Sequence, residues 1–202
     1  MLKNRLTALV LAGGSSSRMG QDKALLTVGG RTFLQKVCEV ARQCCDRVCI
    51  LTPWPERYQF LNELPSWGAG EIAFLDELHP GEGPLVALCD GLAQVESEWV
   101  LLLACDLPFL DGAIVARWAA QLDALSPEIL ASVPQQDSLW QPTCGFYRSP
   151  ILPHLQGFVA RGGRSFQRGL RELPVQAIAL NSAESQMLLN VNTPEAFRSL
   201  QN

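Results

Sequence analysis

From Leu11 to Lys23 the chain reads Leu-Ala-Gly-Gly-Ser-Ser-Ser-Arg-Met-Gly-Gln-Asp-Lys, directly after an apolar stretch that ends at Ala12. A loop of such small residues lets several backbone N–H groups approach a phosphate, and Arg18 and Lys23 would bring positive charge to it. It fits neither the Gly-x-x-x-x-Gly-Lys-[Ser/Thr] nor the Gly-x-Gly-x-x-Gly register, so the two commonest phosphate loops are excluded. On composition alone, a surface turn with solvated Arg18 and Lys23 competes with the phosphate-binding reading. Two carboxylates, Asp76 and Asp106, follow apolar runs. At the end of a strand, Asp106 could hold Mg²⁺, an ion that takes one or two carboxylates along with substrate phosphates and water. Its plainer role would be to cap the following turn.

Other polar groups carry weaker signals. Arg161, Arg164, Arg168 and Arg171 lie within eleven residues of a net acidic chain. They suit either an acceptor that carries phosphate or a solvated helix face. Asn190 and Asn192 could reach a metal or an acceptor, and Asn-x-Asn before a capped helix is equally ordinary turn chemistry. His79 and His154, next to prolines, read as bystanders. Cys105 reads as a strand residue rather than a nucleophile, because nothing near it in sequence would lower its pKa.

The elements that must position these groups alternate. Thr7–Ala12 reads as a buried strand, followed by the small-residue loop at 13–20 and an apolar stretch at Ala24–Val28. Thr32 opens a helix through a Thr-x-x-Gln capping box with Gln35. Arg47–Leu51, Glu71–Leu75 and Trp99–Ala104 read as further buried strands. Pro84 suits the first turn of a helix over Leu85–Val95, and Asp111 suits the N-cap of one reaching about Leu125. Ile129–Val133, Thr143–Tyr147 and Val175–Leu180 read as strands, and Thr193-Pro194 opens a last helix. Strands alternating with helices predict a mainly parallel sheet covered on both faces. In such sheets ligands bind beyond the carboxyl ends of the strands, where 13–23, Asp76 and Asp106 all fall.

Bulk composition agrees with one domain over 1–202. Of 202 residues 48% are apolar, enough for a single core, and 18% charged residues without like-charge blocks argue against disorder. Sixteen Lys+Arg against 20 Asp+Glu give a net charge of −4, the wrong sign for wrapping nucleic acid. No apolar run approaches the roughly 20 residues a bilayer requires. Leu6–Ala12 behind Lys3 and Arg5 faintly imitates a secretory signal but fits a buried strand better. Seven cysteines, an odd number without a Cys-x-x-Cys pair, suit reduced thiols in a cytoplasmic protein.

The wording of 11–23 resembles the opening of the sugar-nucleotide-type nucleotidyltransferases. Asp76, Gly83-Pro84-Leu85, Cys105-Asp106-Leu107-Pro108, Gln141-Pro142-Thr143 and Asn190-Val191-Asn192-Thr193-Pro194-Glu195 follow in the order of that family. Together they resemble the molybdenum cofactor guanylyltransferases. The resemblance implies a three-layer α/β/α fold with a mainly parallel, Rossmann-like sheet of the nucleotidyltransferase type. It implies transfer of GMP from GTP to Mo-molybdopterin with release of pyrophosphate. Lys23 and Arg18 would be catalytic, Leu11, Ala12, Gly13, Gly14, Lys23, Asp76 and Asp106 would bind the nucleotide, and Asp106 would hold Mg²⁺. Thr52 falls near a position where relatives carry Asn. Transient contact with molybdoenzymes or cofactor-handling proteins would be in keeping. Two rivals stay open: a cytidylyltransferase of the same fold that uses CTP, and a nucleotide-binding accessory protein without turnover.

Overall fold

The computed structural model describes residues 5–14, 22–45, 47–64, 72–191 and 197. Arg18, Asn192 and the Thr193-Pro194 cap lie outside the described residues. In chain order the strands are β1 (Leu6–Leu11), β2 (Thr27–Val28), β3 (Arg31–Thr32), β4 (Arg47–Thr52), β5 (Ile72–Asp76), β6 (Trp99–Ala104), β7 (Ala131–Gln136), β8 (Leu139–Trp140), β9 (Cys144–Arg148) and β10 (Val175–Ala179). The α-helices are α1 (Phe33–Ala41), α2 (Pro84–Leu92), α3 (Gly112–Ala119), α4 (Leu152–Ala160), α5 (Phe166–Arg171) and α6 (Ser182–Met187).

Eight strands form one sheet in the order β10-β7-β9-β6-β1-β4-β5, with β8 on β7. Strands β6, β1, β4 and β5 run parallel, whereas β9 lies antiparallel to both β6 and β7. The parallel register brings Leu11, Leu51, Leu75 and Ala104 to one level, so the chain leaves all four strands along a single edge of the sheet. Because β9 is antiparallel, it is its start that meets this edge, and Ala104 N–H donates to Thr143 O at 2.9 Å.

Side chains alternate across a strand, and the sheet separates two apolar layers accordingly. Ala8 and Val10 of β1, with Leu101 and Leu103 of β6, pack against Leu34 and Val37 of α1 and Val115 and Trp118 of α3. Leu9, Val100 and Leu102 face the other way, against Leu85 and Leu88 of α2, Leu155 and Phe158 of α4 and Leu170 of α5. Buried on both sides, the central strands read as continuous apolar runs instead of alternating ones. This is the three-layer arrangement that the sequence predicts.

Local chemistry sets the helix starts. Thr32 Oγ1 accepts from Gln35 N–H at 3.1 Å, Asp111 Oδ1 accepts from Ala113 and Ile114 N–H, and Pro84 occupies the first turn of α2. The helix expected to reach about Leu125 ends at Ala119 and resumes as a 3-10 turn at Leu122–Ala124. The Ala24–Val28 stretch is split into a 3-10 turn and the β2–β3 hairpin, whose Gly29 and Gly30 both adopt positive φ. Helices α4 and α6 have no counterpart in the sequence reading, and α5 falls within the segment 161–171, for which a helix face is one of two readings. All seven cysteines are free.

Candidate active site

Beyond the shared edge of β6, β1, β4 and β5 lies a cavity of about 600 Å³. Its lining includes Leu11, Ala12, Gly13 and Gly14 from the end of β1, together with Lys23 and Asp106. Six residues separated by up to 95 positions are thus gathered at one place because parallel strands all deliver their C-terminal ends to the same side. Thr143, from the start of β9, and Asn190 complete that wall. Asn190 arrives there because the next residue, Val191, donates its N–H to Asp106 O at 3.1 Å.

The end of β1 is held from both sides. Ala12 N–H donates to Leu51 O at 3.0 Å, and Ala12 O accepts from the fully buried Thr52 hydroxyl at 3.0 Å. Thr52 Oγ1 in turn accepts from Trp54 N–H at 3.1 Å. Thr52 therefore sits beneath the cavity as a positioning residue and does not line it. Tyr58, from the 3-10 segment after β4, donates to Asp22 Oδ2 at 2.7 Å, with its oxygen 3.3 Å from Ala12 O. Burial and the Asp22 charge push the Tyr58 hydroxyl well above its ordinary pKa, so it remains a donor. Asp22 caps the turn Lys23–Leu25 through Ala24 N–H at 3.0 Å, which places the Lys23 side chain in the cavity.

Lys23 Nζ stands 3.5 Å from Asp106 Oδ2, with side chains only 19% and 17% exposed. Burial raises the Asp106 pKa above the ordinary carboxylate value, and Lys23 opposes that rise. Burial outweighs the Lys23 charge there, so a cation or further hydrogen-bond donors would favour the ionised carboxylate. Among the described residues there is no cluster of three or more His, Cys, Asp or Glu able to hold a metal alone. A single carboxylate of this kind fits an ion that takes its remaining ligands from substrate phosphates and water. Burial pushes the neighbouring Cys105 thiol up to about 12, which leaves it neutral and unsuited to nucleophilic attack.

Asp76, which the resemblance implies to bind the nucleotide, does not line the cavity, and its neighbour Glu77 does. Asp76 ends β5 with its side chain exposed, while Glu77 lines the cavity. The cause is strand alternation: Leu75 packs on the α2 side of the sheet and Phe74 on the α1 side, so Glu77 follows Leu75 and Asp76 follows Phe74. The segment after Glu77 is tied to α2 by the buried Asp90 carboxylate, which accepts His79 N–H at 3.0 Å and lies 2.8 Å from His79 Nδ1. His79, read from sequence as a bystander, instead anchors the loop that supplies Pro80, Gly81 and Gly83 to the cavity. Trp54 also lines the cavity, with the Arg57 guanidinium 4.3 Å from its ring centroid. In the basic segment, Arg164 pairs with Glu82 at 2.7 Å and Arg161 with Glu172 at 3.6 Å. Sequence reasoning missed Glu77, Trp54, Asp22 and Tyr58. Only Asp22 had a local signal, as an Asp immediately before a short apolar turn.

This sheet order with a nucleotide-sized cavity at the strand ends defines an α/β protein of the nucleotidyltransferase type. A solved structure described as molybdopterin-guanine dinucleotide biosynthesis protein A, from Archaeoglobus fulgidus, superposes with a TM-score of 0.75 over 96% of both chains at 19% identity, and so shares the fold. Residues 8–176 match the family model of the MobA-like NTP transferase domain, and the chain belongs to that family. Among its relatives, a protein of Nostoc sp. named "Probable molybdenum cofactor guanylyltransferase" is 51% identical over 98% of this chain and 91% of its own length. Another, of Pseudomonas entomophila, named "Molybdenum cofactor guanylyltransferase", is 36% identical over 93% of each chain.

Proposed function

We propose that this protein is a molybdenum cofactor guanylyltransferase, which transfers GMP from GTP to Mo-molybdopterin. The observation that carries the reading is the convergence of Leu11–Gly14, Lys23 and Asp106 on one cavity, in a chain half identical to a relative of that name. In the reaction a terminal phosphate oxygen of the acceptor attacks the α-phosphorus of GTP. The new P–O bond forms as the bond to the β-phosphate bridge breaks, and pyrophosphate leaves. The attacking group belongs to the substrate, so no side chain need become a nucleophile, in keeping with the neutral Cys105 thiol. What the site must do is bring two polyanions together and offset charge as it moves onto the leaving group.

Gly13 and Gly14 present a backbone edge to the nucleotide, and Lys23 neutralises the triphosphate as charge develops on pyrophosphate. Arg18 would add a second positive charge. Asp106 would hold Mg²⁺, which when bound acts as a Lewis acid on the phosphates. Lys23, now paired with Asp106, is in reach to turn from the carboxylate to the phosphates when nucleotide enters. The chemistry uses nucleotide and pterin substrates, and a cytoplasmic location, where GTP is available, would suit it. Among the described residues no helix is long and apolar enough to cross a membrane.

The test is an equilibrium titration with GTP, CTP, ATP and UTP, each with and without Mg²⁺ at fixed ionic strength, followed by turnover with Mo-molybdopterin. Selective GTP binding with release of pyrophosphate is expected. Preference for CTP would replace the product, and no nucleotide binding would favour an accessory role. Asp106→Ala should abolish Mg²⁺-dependent transfer in a folded protein; undiminished transfer would remove Asp106 from the metal site.

A further inference from the structure

From the placement of its carboxylate we infer that Glu77 reads the guanine base, accepting hydrogen bonds from its N1–H and its 2-amino group. The inference rests on the guanylyltransferase reading and adds the residue that selects the base. Glu77 lines the same cavity as Lys23 and Asp106 but enters it from the end of β5, whereas Asp106 enters from the end of β6, with β1 and β4 between those strands in the sheet. Its carboxylate lies directly over Gly13, so close that a Cβ on Gly13 would collide with it. With Lys23 and Asp106, the groups proposed for the triphosphate and its Mg²⁺, beside the end of β6, the base would lie over Gly13 towards β5, within reach of Glu77.

The loop between Glu77 and Gly83 is anchored to α2 before any ligand arrives, through His79 and Asp90. Burial and the nearby Asp90 charge both disfavour the ionised form of the Glu77 carboxylate. Such a group gains from further donors. Guanine offers two adjacent donors, N1–H and the 2-amino group, in the spacing of the two carboxylate oxygens. Cytosine and adenine each place one amino group beside a ring-nitrogen acceptor, and uracil places one N–H between two carbonyl acceptors. Either arrangement would set a lone pair against the carboxylate.

Inosine triphosphate, which keeps N1–H but lacks the 2-amino group, is the discriminating probe. The intact protein should bind GTP about 10- to 100-fold more tightly than inosine triphosphate, the usual effect of one hydrogen bond to a charged acceptor. Glu77→Ala should bring the two affinities within about threefold by weakening GTP selectively, and Glu77→Gln should do the same while keeping side-chain size. Retained inosine triphosphate binding shows that the variants are folded. A preference for GTP over inosine triphosphate that survives both substitutions overturns the inference alone. So does equal loss of both nucleotides, since Glu77 would then shape the cavity without reading the base. An intact protein that prefers CTP, or binds no nucleotide, overturns the guanylyltransferase reading and this inference with it.

Discussion

Replacing Lys23 by alanine should affect rate and stability separately, and the two effects have different sizes. Lys23 Nζ is 3.5 Å from Asp106 Oδ2, and both side chains are less than one-fifth exposed. An exposed ion pair contributes about 0–1 kcal/mol, whereas breaking a fully buried one costs about 3–5 kcal/mol, so a pair this enclosed should cost roughly 2 kcal/mol when cut. The cost depends on pH with a definite sign. Asp106 already has a raised pKa in the folded chain, and Lys23 is what restrains it. Without Lys23 the folded-state pKa rises further, so the penalty falls on the charged carboxylate above that value. It disappears as protonation neutralises the group. Urea denaturation should therefore find the variant less stable than the parent at about pH 8, with the deficit shrinking towards pH 4.5. In turnover, removing a preorganised charge from a developing anion should reduce kcat about 10²- to 10³-fold, measured as pyrophosphate released from GTP and Mo-molybdopterin. A kcat loss under about threefold would refute the catalytic assignment of Lys23. A stability deficit that does not change with pH would refute its electrostatic coupling to Asp106.

Other substitutions probe the supports of the site. Gly13→Ala would push its Cβ into the Glu77 carboxylate, so GTP affinity in equilibrium dialysis should fall about tenfold or more with little change in melting temperature. Thr52→Val removes the donor to Ala12 O and the acceptor for Trp54 N–H; a loss of about 1–3 kcal/mol in urea titration is expected, together with weaker nucleotide binding. The His79 pKa is raised chiefly by its hydrogen bond to Asp90. The stability this pair contributes is fully present below the ordinary imidazole pKa and is lost as pH rises through the raised value. Asp90→Asn should flatten that part of the stability profile in thermal melts from about pH 5 to 8.

Much of the architecture could be read locally. The β6 run Trp99–Ala104 is apolar at every position because both faces are covered, and it was predicted with its observed bounds. Thr32 and Asp111 announced their helices through side-chain oxygens that accept N–H groups within three residues. Helices α4 and α6 escaped because α4 carries Pro153 near its start and Gly157 within, and α6 is short. Such helices owe their stability to packing on the sheet rather than to intrinsic preference.

The same division runs through the site. The spacing from Leu11 to Lys23, and Asp106 at the end of an apolar strand, were sufficient to nominate residues that meet in one cavity, because backbone permissiveness and charge are properties of the residues themselves. Which of Asp76 and Glu77 faces the cavity was not, since consecutive side chains leave a strand in opposite directions and only the packed layers define inside. Nor could the sequence join Tyr58 to Asp22, or His79 to Asp90, across 36 and 11 positions. Those contacts exist because folding makes distant segments neighbours. The chain's residue types determined what chemistry was available, and the register of four parallel strands decided which of those residues meet.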